Sequence, residues 1–248
     1  MKLTILGYWG GYPFQGEGTS AYLLESAGFH LLIDCGSASL ISLEEKLDSV
    51  ELDAVILSHY HHDHIADVGV LQFSRLLKKV SAEEGTRKIL PIYGHQESFV
   101  NFESLQMEGV SEAISYDASS VCNVGPFEIT FMRTKHPVPC FAMRILEKST
   151  QKVLVYTADS GYLAEFIPFA KDADVLLADT NFFNGMENHP VHMTSGEVGR
   201  IAHQAAVKKL ILTHLPQTGS LNTLLEQAKE QAGDCVVERA EKNKIITI

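Results

Sequence analysis

Apolar positions fall first into clustered short runs and later into runs that alternate with helical stripes. Thr4-Ile5-Leu6, Ala21-Tyr22-Leu23-Leu24 and Leu31-Leu32-Ile33 predict an N-terminal strand series, with a glycine-rich loop from Gly7 to Gly18 between the first two. Leu40 to Leu47 has helical spacing, and Asp53 to Leu57 reads as a buried strand. Ala66 to Lys79, carrying Val70, Leu71, Phe73, Leu76 and Leu77, suits an amphipathic helix. Lys88 to Tyr93 returns to strand, and a helix is expected over His95 to Met107. Phe127 to Arg133, Phe141 to Leu146, Lys152 to Tyr156, Asp174 to Ala178 and Lys209 to Leu212 are further strands. A helix from Glu197 buries Val198, Ile201, Ala202 and Ala205, with Thr194 and Glu197 in a capping-box pattern, and another runs from about Leu221 to Gln231.

This order predicts an α/β protein in layers. Two packed sheets with helices outside would cover both apolar faces of the strands. Periodicity does not by itself select that sandwich over a doubly wound sheet. No linker, charge block or short-period repeat divides the sequence, so residues 1–248 are expected to form a single domain.

The formal net charge of -11 argues against a broad basic surface for nucleic acid. It leaves room for a small anionic substrate at a focused cationic site. The cysteines Cys35, Cys122, Cys140 and Cys235 are scattered without CxxC spacing, and are expected as buried thiols rather than disulfides. No stretch has the length of a membrane span or a signal-peptide core, so no membrane association is expected and the cytoplasm is the expected location.

The chemistry concentrates in Ser58-His59-Tyr60-His61-His62-Asp63-His64, an HxHxDH pattern that follows the strand Leu52 to Leu57. Imidazole and carboxylate are the donors that borderline and hard cations prefer, and the end of a strand lets such side chains converge on a rigid scaffold. Three further candidates also follow strand-like runs: His136 after Ile129 to Arg133, Asp159 after Val153 to Ala158, and His214 after Leu210 to Thr213. Strand ends collect on one edge of a sheet, so these side chains could meet the first cluster.

Taken in this order, the set resembles the metallo-β-lactamase superfamily. His59, His61, Asp63 and His64 match its second motif, and His136, Asp159 and His214 match its third, fourth and fifth. The resemblance implies an αββα sandwich of two mixed β-sheets flanked by helices, with two divalent metal ions at its upper edge. His59, His61 and His136 would hold one, Asp63, His64 and His214 the other, and Asp159 would bridge them. Zinc is the expected metal, with manganese or iron compatible. His61 stands where flavo-diiron proteins place a glutamate, which argues against oxygen reduction, and the complete Asp/His set does not need Cys140 as a ligand.

Two regions are similar to the short-form ribonuclease Z branch. One is Leu6 to Pro13 with Gly18 to Leu24, and the other is His192-Met193-Thr194-Ser195 leading to Lys208 to His214. The likeness implies phosphodiester hydrolysis by a hydroxide bridging two metals, with His192 assisting the leaving group and Asp63 orienting the water or shuttling its proton. Asp179 would support a ligand, or else serve a turn or cap. His30, His62, His95, His189 and His203 receive no role. Only 23 positions separate His136 from Asp159, and two strands and a turn fill them, leaving no room for the projecting arm of transfer-RNA processing enzymes. A small or cyclic phosphodiester is therefore the expected substrate, and large structured RNA is disfavoured. The alternatives are an ester, thioester or lactone hydrolase on the same site, a short-form RNA nuclease, and a non-catalytic metal-binding module. The resemblance leaves a homodimer open.

Overall fold

Residues 1–78 and 88–248 are described by a computed structural model. The chain opens with strands β1 (Lys2–Trp9), β2 (Gly18–Thr19), β3 (Ala21–Ser26) and β4 (Phe29–Ile33), then helix α1 (Ser39–Glu44) and β5 (Ala54–Ile56). Helices α2 (His62–Ile65) and α3 (Val68–Leu77), strand β6 (Leu90–His95), helix α4 (Phe99–Glu103) and strand β7 (Ser111–Tyr116) follow. The second half comprises β8 (Val121–Val124), β9 (Phe127–Arg133), β10 (Phe141–Glu147), β11 (Val153–Tyr156), α5 (Phe166–Phe169) and β12 (Val175–Asp179). It continues with α6 (Ser195–Gln204), β13 (Lys209–Thr213), α7 (Leu221–Gln231), β14 (Val236–Arg239) and β15 (Ile245–Thr247).

Among the described residues these strands form two mixed sheets. One has the order β15-β1-β3-β4-β5-β6-β7, with β2 beside β1, and the other β14-β13-β12-β11-β10-β9-β8. Strands β4 to β7 run parallel, as do β11 to β14, while the hairpins β8-β9-β10-β11 and β1-β3-β4 are antiparallel.

Alternation along each strand builds the layers. Leu31 and Ile33 of β4 and Ala54 and Ile56 of β5 face the second sheet, in one core with Phe127, Ile129, Leu154 and Leu176. Leu32, Val55 and Leu57 point the other way and pack under Leu43 of α1, Val68 and Leu71 of α3, and Phe102 of α4. Val198, Ile201 and Ala202 of α6 and Leu224 and Ala228 of α7 cover the outer side of the second sheet. Strands covered on both faces read as continuous apolar runs, which is why these were legible in the sequence.

The structure extends or trims several expected elements. Strand β1 continues through Trp9, because Gly7 pairs with Gly18 and Ala21 instead of opening the loop. The helix expected over His95 to Met107 shrinks to α4: His95 stays in β6, paired with Tyr116 of β7, and the chain turns between Met107 and Ser111. Helix α1 stops at Glu44, short of Leu47. The helix expected over Ala66 to Lys79 starts only at Val68, and its Lys79 end lies outside the described residues. The capping box is present: Thr194 accepts from the Glu197 N–H, and the Glu197 carboxylate accepts from the Thr194 N–H. No disulfide forms among the four cysteines; Cys35 and Cys140 are buried, whereas Cys122 and Cys235 are only partly so, against the expectation of burial for all four. No helix among the described residues is long and apolar enough to cross a membrane.

Candidate metal centre

Every candidate donor lies at or just beyond the end of a strand or in the turn that follows one. His59 and His61 follow β5, His61 in extended backbone, and Asp63 and His64 sit in the single turn of α2. His136 follows β9, Asp159 follows β11, Asp179 ends β12 and His214 follows β13. Three non-glycine residues take left-handed backbone at these ends: Asp34 (φ 54°), Ala158 (φ 51°) and His214 (φ 52°). Such conformations cost free energy for residues with a Cβ, and here they coincide with the points where the chain leaves a strand to present a donor.

All seven sequence-predicted donors come together. His61 Nδ1 faces His59 Nε2 at 3.1 Å and His136 Nε2 at 3.0 Å. Beside this triad, His214 Nε2 lies 3.1 Å from Asp63 Oδ2, and His64 Nε2 lies 3.6 Å from the same oxygen. Asp159 stands between the two groups. Its Oδ2 is 3.8 Å from His59 Nε2, 3.9 Å from His136 Nε2 and 3.3 Å from His214 Nε2, and its Oδ1 is 3.2 Å from His64 Nε2. Two four-residue groups result, sharing Asp159, each with its donor atoms within 4.8 Å of one another.

This arrangement fits cations better than it fits a hydrogen-bond network. Neutral imidazoles place a lone pair and one N–H each, so three nitrogens meeting at about 3 Å leave lone pairs opposed. Four donors at zinc–nitrogen distance around a tetrahedral ion would stand about 3.3 Å apart, close to the spacing found here. His64 Nε2 and Asp159 Oδ1 are buried and face each other at 3.2 Å, but neither has a hydrogen-bond partner of good geometry.

The electrostatics agree. Burial, reinforced by the neighbouring imidazoles, holds His59 well below the usual histidine range, and burial also lowers His61 and His136. These three present neutral rings. Around the second group, burial alone would depress His64 and His214, but Asp159 with Asp34 raises the first, and Asp159, Asp179 and Asp63 raise the second to about 10. Protons there supply the positive charge that the buried carboxylates demand, a charge that a cation would supply instead.

Supporting contacts fix the ring orientations. His64 Nδ1 donates to Asp34 Oδ2 (2.7 Å), and His136 Nδ1 donates to the Val191 carbonyl (3.3 Å), leaving both Nε2 atoms for the centre. Asp34, fully buried, also accepts from the Ser58 N–H (2.7 Å), the Ser58 hydroxyl (2.8 Å) and the Tyr156 hydroxyl (2.9 Å). The sequence reading missed Asp34. Its signal was a carboxylate directly after the apolar run Leu31-Leu32-Ile33, the same pattern that marked Asp159 and His214.

Asp179, for which the sequence left a supporting or a turn role open, accepts from the Ser160 N–H (3.0 Å) and from His192 Nδ1 (2.8 Å), with His214 Nδ1 at 3.4 Å. His192 comes to the rim of the centre, its ring 4.9 Å from that of His214 and 5.7 Å from that of His136. Burial would lower its pKa, but the Asp179 carboxylate outweighs burial and raises it. His192, His61, His136, Asp63 and His214 line a cleft of about 300 Å³ together with Gly10, Tyr12, Asn181 and Gln217. Gly10 admits the donors to this cleft: a Cβ there would meet Asn181 Nδ2 at 2.5 Å and the His214 ring at 2.8 Å. The Gly11 N–H donates to Asp63 Oδ2 (2.8 Å), so the first loop of the chain reaches the centre. His62 is exposed, and His30, His189 and His203 stay outside the donor groups.

Residues 30–215 match the family described as the beta-lactamase superfamily domain. The chain is 46% identical to the probable metallo-hydrolase YhfI of Bacillus subtilis over 231 residues, covering 92% of this chain and 93% of that protein. The crystal structure of the metallo-beta-lactamase fold protein YhfI superposes with a TM-score of 0.93 over 99% of both chains, at 42% identity. The short form of human tRNase Z shares the fold at a TM-score of 0.77 and 21% identity, covering 100% of this chain and 99% of that one. A diphosphatase of the PhnP family does so at 0.76 and 16%, covering 100% and 97%.

Proposed function

The chain belongs to the beta-lactamase superfamily and is a metallo-hydrolase, and from that premise we propose that it is a phosphodiesterase for small or cyclic phosphodiesters, working with two divalent cations, most simply zinc. His59, His61 and His136 would hold one cation, Asp63, His64 and His214 the other, with Asp159 between them. When bound, such cations lower the pKa of a coordinated water and withdraw charge from a phosphoryl oxygen.

The observation that carries the reading is the His192–Asp179 pair. Asp179 engages Nδ1 at 2.8 Å, which leaves Nε2 as the nitrogen free to act at the cleft. Asp179 favours the protonated ring, so His192 can hold a proton at Nε2 and pass it to a departing alkoxide. A phosphodiester needs that assistance because its leaving group is a poor one, whereas an activated lactone needs it little. Asp63, which accepts from the Gly11 N–H and lies beside His214, would orient a water or take up its proton. The hairpin of β10 and β11 fills the interval from His136 to Asp159, and the net charge is -11, both of which favour a small substrate over structured RNA. The names of two fold neighbours, a tRNase and a diphosphatase, point toward phosphoryl chemistry.

The test is turnover of bis(p-nitrophenyl) phosphate by protein loaded with zinc or manganese. His192→Ala should reduce that turnover by roughly 10²-fold or more. No turnover with either metal, alongside rapid lactone hydrolysis, would replace this reading with a lactonase.

A further inference from the structure

A second recess of about 340 Å³ adjoins the cleft, and His61 lines both. Its other walls are Tyr60, His95, Glu97, Ser98, Asn101, Val138 and Pro139. Several of these residues neighbour donors in sequence. Tyr60 lies between His59 and His61, and its hydroxyl donates to the His95 carbonyl (2.6 Å). Val138 sits between Pro137 and Pro139, just after His136, so two fixed φ angles stiffen the apolar wall.

The recess is apolar on its sides and polar at a few points. The Tyr60 ring packs 4.4 Å from the His95 ring. His95 is 1% exposed, and neither ring nitrogen has a hydrogen-bond partner of good geometry, although the Pro139 carbonyl lies near enough to favour its protonated form. Burial nevertheless brings its pKa down to about 4, so the ring is neutral and carries one donor and one acceptor. The Asn101 amide donates to the Ser98 hydroxyl (2.9 Å) at the rim. The Glu97 carboxylate is matched by Arg133 in a two-pronged pair (2.5 and 2.6 Å), so the recess carries no unbalanced charge from it.

We propose that this recess is a nucleobase subsite, receiving the base of a nucleotide whose phosphate lies at the metal centre on the other side of His61. A flat, neutral heterocycle with donors and acceptors on its edge matches apolar walls that carry a few polar groups. A second phosphate would find no free cation in the lining, and a plain acyl chain would leave the buried ring nitrogens of His95 unanswered. The inference rests on the phosphodiesterase reading and narrows its substrate class to nucleotides.

The test measures, by isothermal titration of the metal-loaded protein, binding of the four ribonucleoside 5′-monophosphates against ribose 5-phosphate. At least one nucleotide should bind tenfold or more tightly than the sugar phosphate, and Val138→Trp, which fills the recess, should erase that preference. Asn101→Leu, which removes a polar edge without filling the recess, should reduce the preference and serves if the tryptophan variant does not fold. Equal affinity for sugar phosphate and nucleotides, or a preference untouched by the variants, overturns the subsite. Turnover of bis(p-nitrophenyl) phosphate is measured on the same protein. Base-dependent binding without turnover would uphold the subsite and defeat the phosphodiesterase reading, and turnover without base-dependent binding would do the reverse.

Discussion

Replacing Asp34 with asparagine turns one carboxylate oxygen into an amide nitrogen at a point where four donors converge. Oδ2 accepts from Ser58 Oγ, His64 Nδ1 and Tyr156 Oη, and Oδ1 accepts from the Ser58 N–H. The least costly amide orientation keeps its oxygen at the Oδ2 position and sets its NH₂ against the Ser58 N–H. One hydrogen bond is then lost with donor facing donor, at about 1–3 kcal/mol, and three bonds to a carboxylate become weaker bonds to a neutral amide, at roughly 1 kcal/mol each. With partial relaxation, about 3–5 kcal/mol is the expected loss, a large share of the ~5–15 kcal/mol stability of a typical protein. Because His64 loses the carboxylate that orients it, metal affinity should also fall by about 10–100-fold. Urea unfolding of metal-free protein reads the first effect, and competition with a chelator reads the second. Tyr156→Phe, which removes one donor only, should cost about 1 kcal/mol. The reasoning is refuted if Asp34→Asn unfolds within ~1 kcal/mol of the parent protein and yields its metal to the chelator no faster.

Gly10→Ala should push the His214 ring aside, since the new methyl would lie within 2.8 Å of it; metal content and turnover should both drop, by tenfold or more for the latter, and unchanged values would mean that the loop yields instead. Asp159→Ala should leave at most one bound metal per chain by elemental analysis, and two retained metals would contradict the proposal that it bridges them. Asp174 offers a pH test away from the centre. Burial would raise its pKa, but Lys208, the Val153 N–H and Lys152 bring it down to about 2. A folded-state pKa below the unfolded value near 4 means that its contribution is complete above about pH 4 and is lost as the pH falls through about 2. Asp174→Asn should therefore cost about 1–2 kcal/mol at pH 7 and little at pH 2. A gap of equal size at both pH values in denaturant unfolding would exclude the linkage.

The fold was legible where the period is clean or a strand is covered on both faces. The alternating strand Phe127 to Arg133 and the helix Leu221 to Gln231 appear with the expected bounds, and the largely buried runs Val153 to Tyr156 and Lys209 to Thr213 differ only at an end. Edge and half-exposed strands were not legible: Ser111 to Tyr116 and Val236 to Arg239 mix polar and apolar residues without a clean period, and they form through pairing with β6 and β13. The HxHxDH group and the three later donors could be read because each follows an apolar run. Asp34 follows one too, but a lone aspartate at a strand end carries no motif, and its importance comes from His64, Ser58 and Tyr156 approaching from distant segments. His95 misled in the opposite sense, joined to a helix by its neighbours yet held in β6 by Tyr116.

The donors belong to both halves of the sandwich: His59, His61, Asp63 and His64 come from the first sheet, and His136, Asp159 and His214 from the second. An ion gripped by both would rivet two layers otherwise joined by apolar contact and a few polar links such as Tyr156 to Asp34 and Tyr22 to Thr213. Its occupancy would then add to resistance against heat, by about 2.7 kcal/mol at a hundredfold excess over the dissociation constant. A melting curve recorded against rising metal would double as a binding isotherm, and starvation for the ion would make the two layers easier to part.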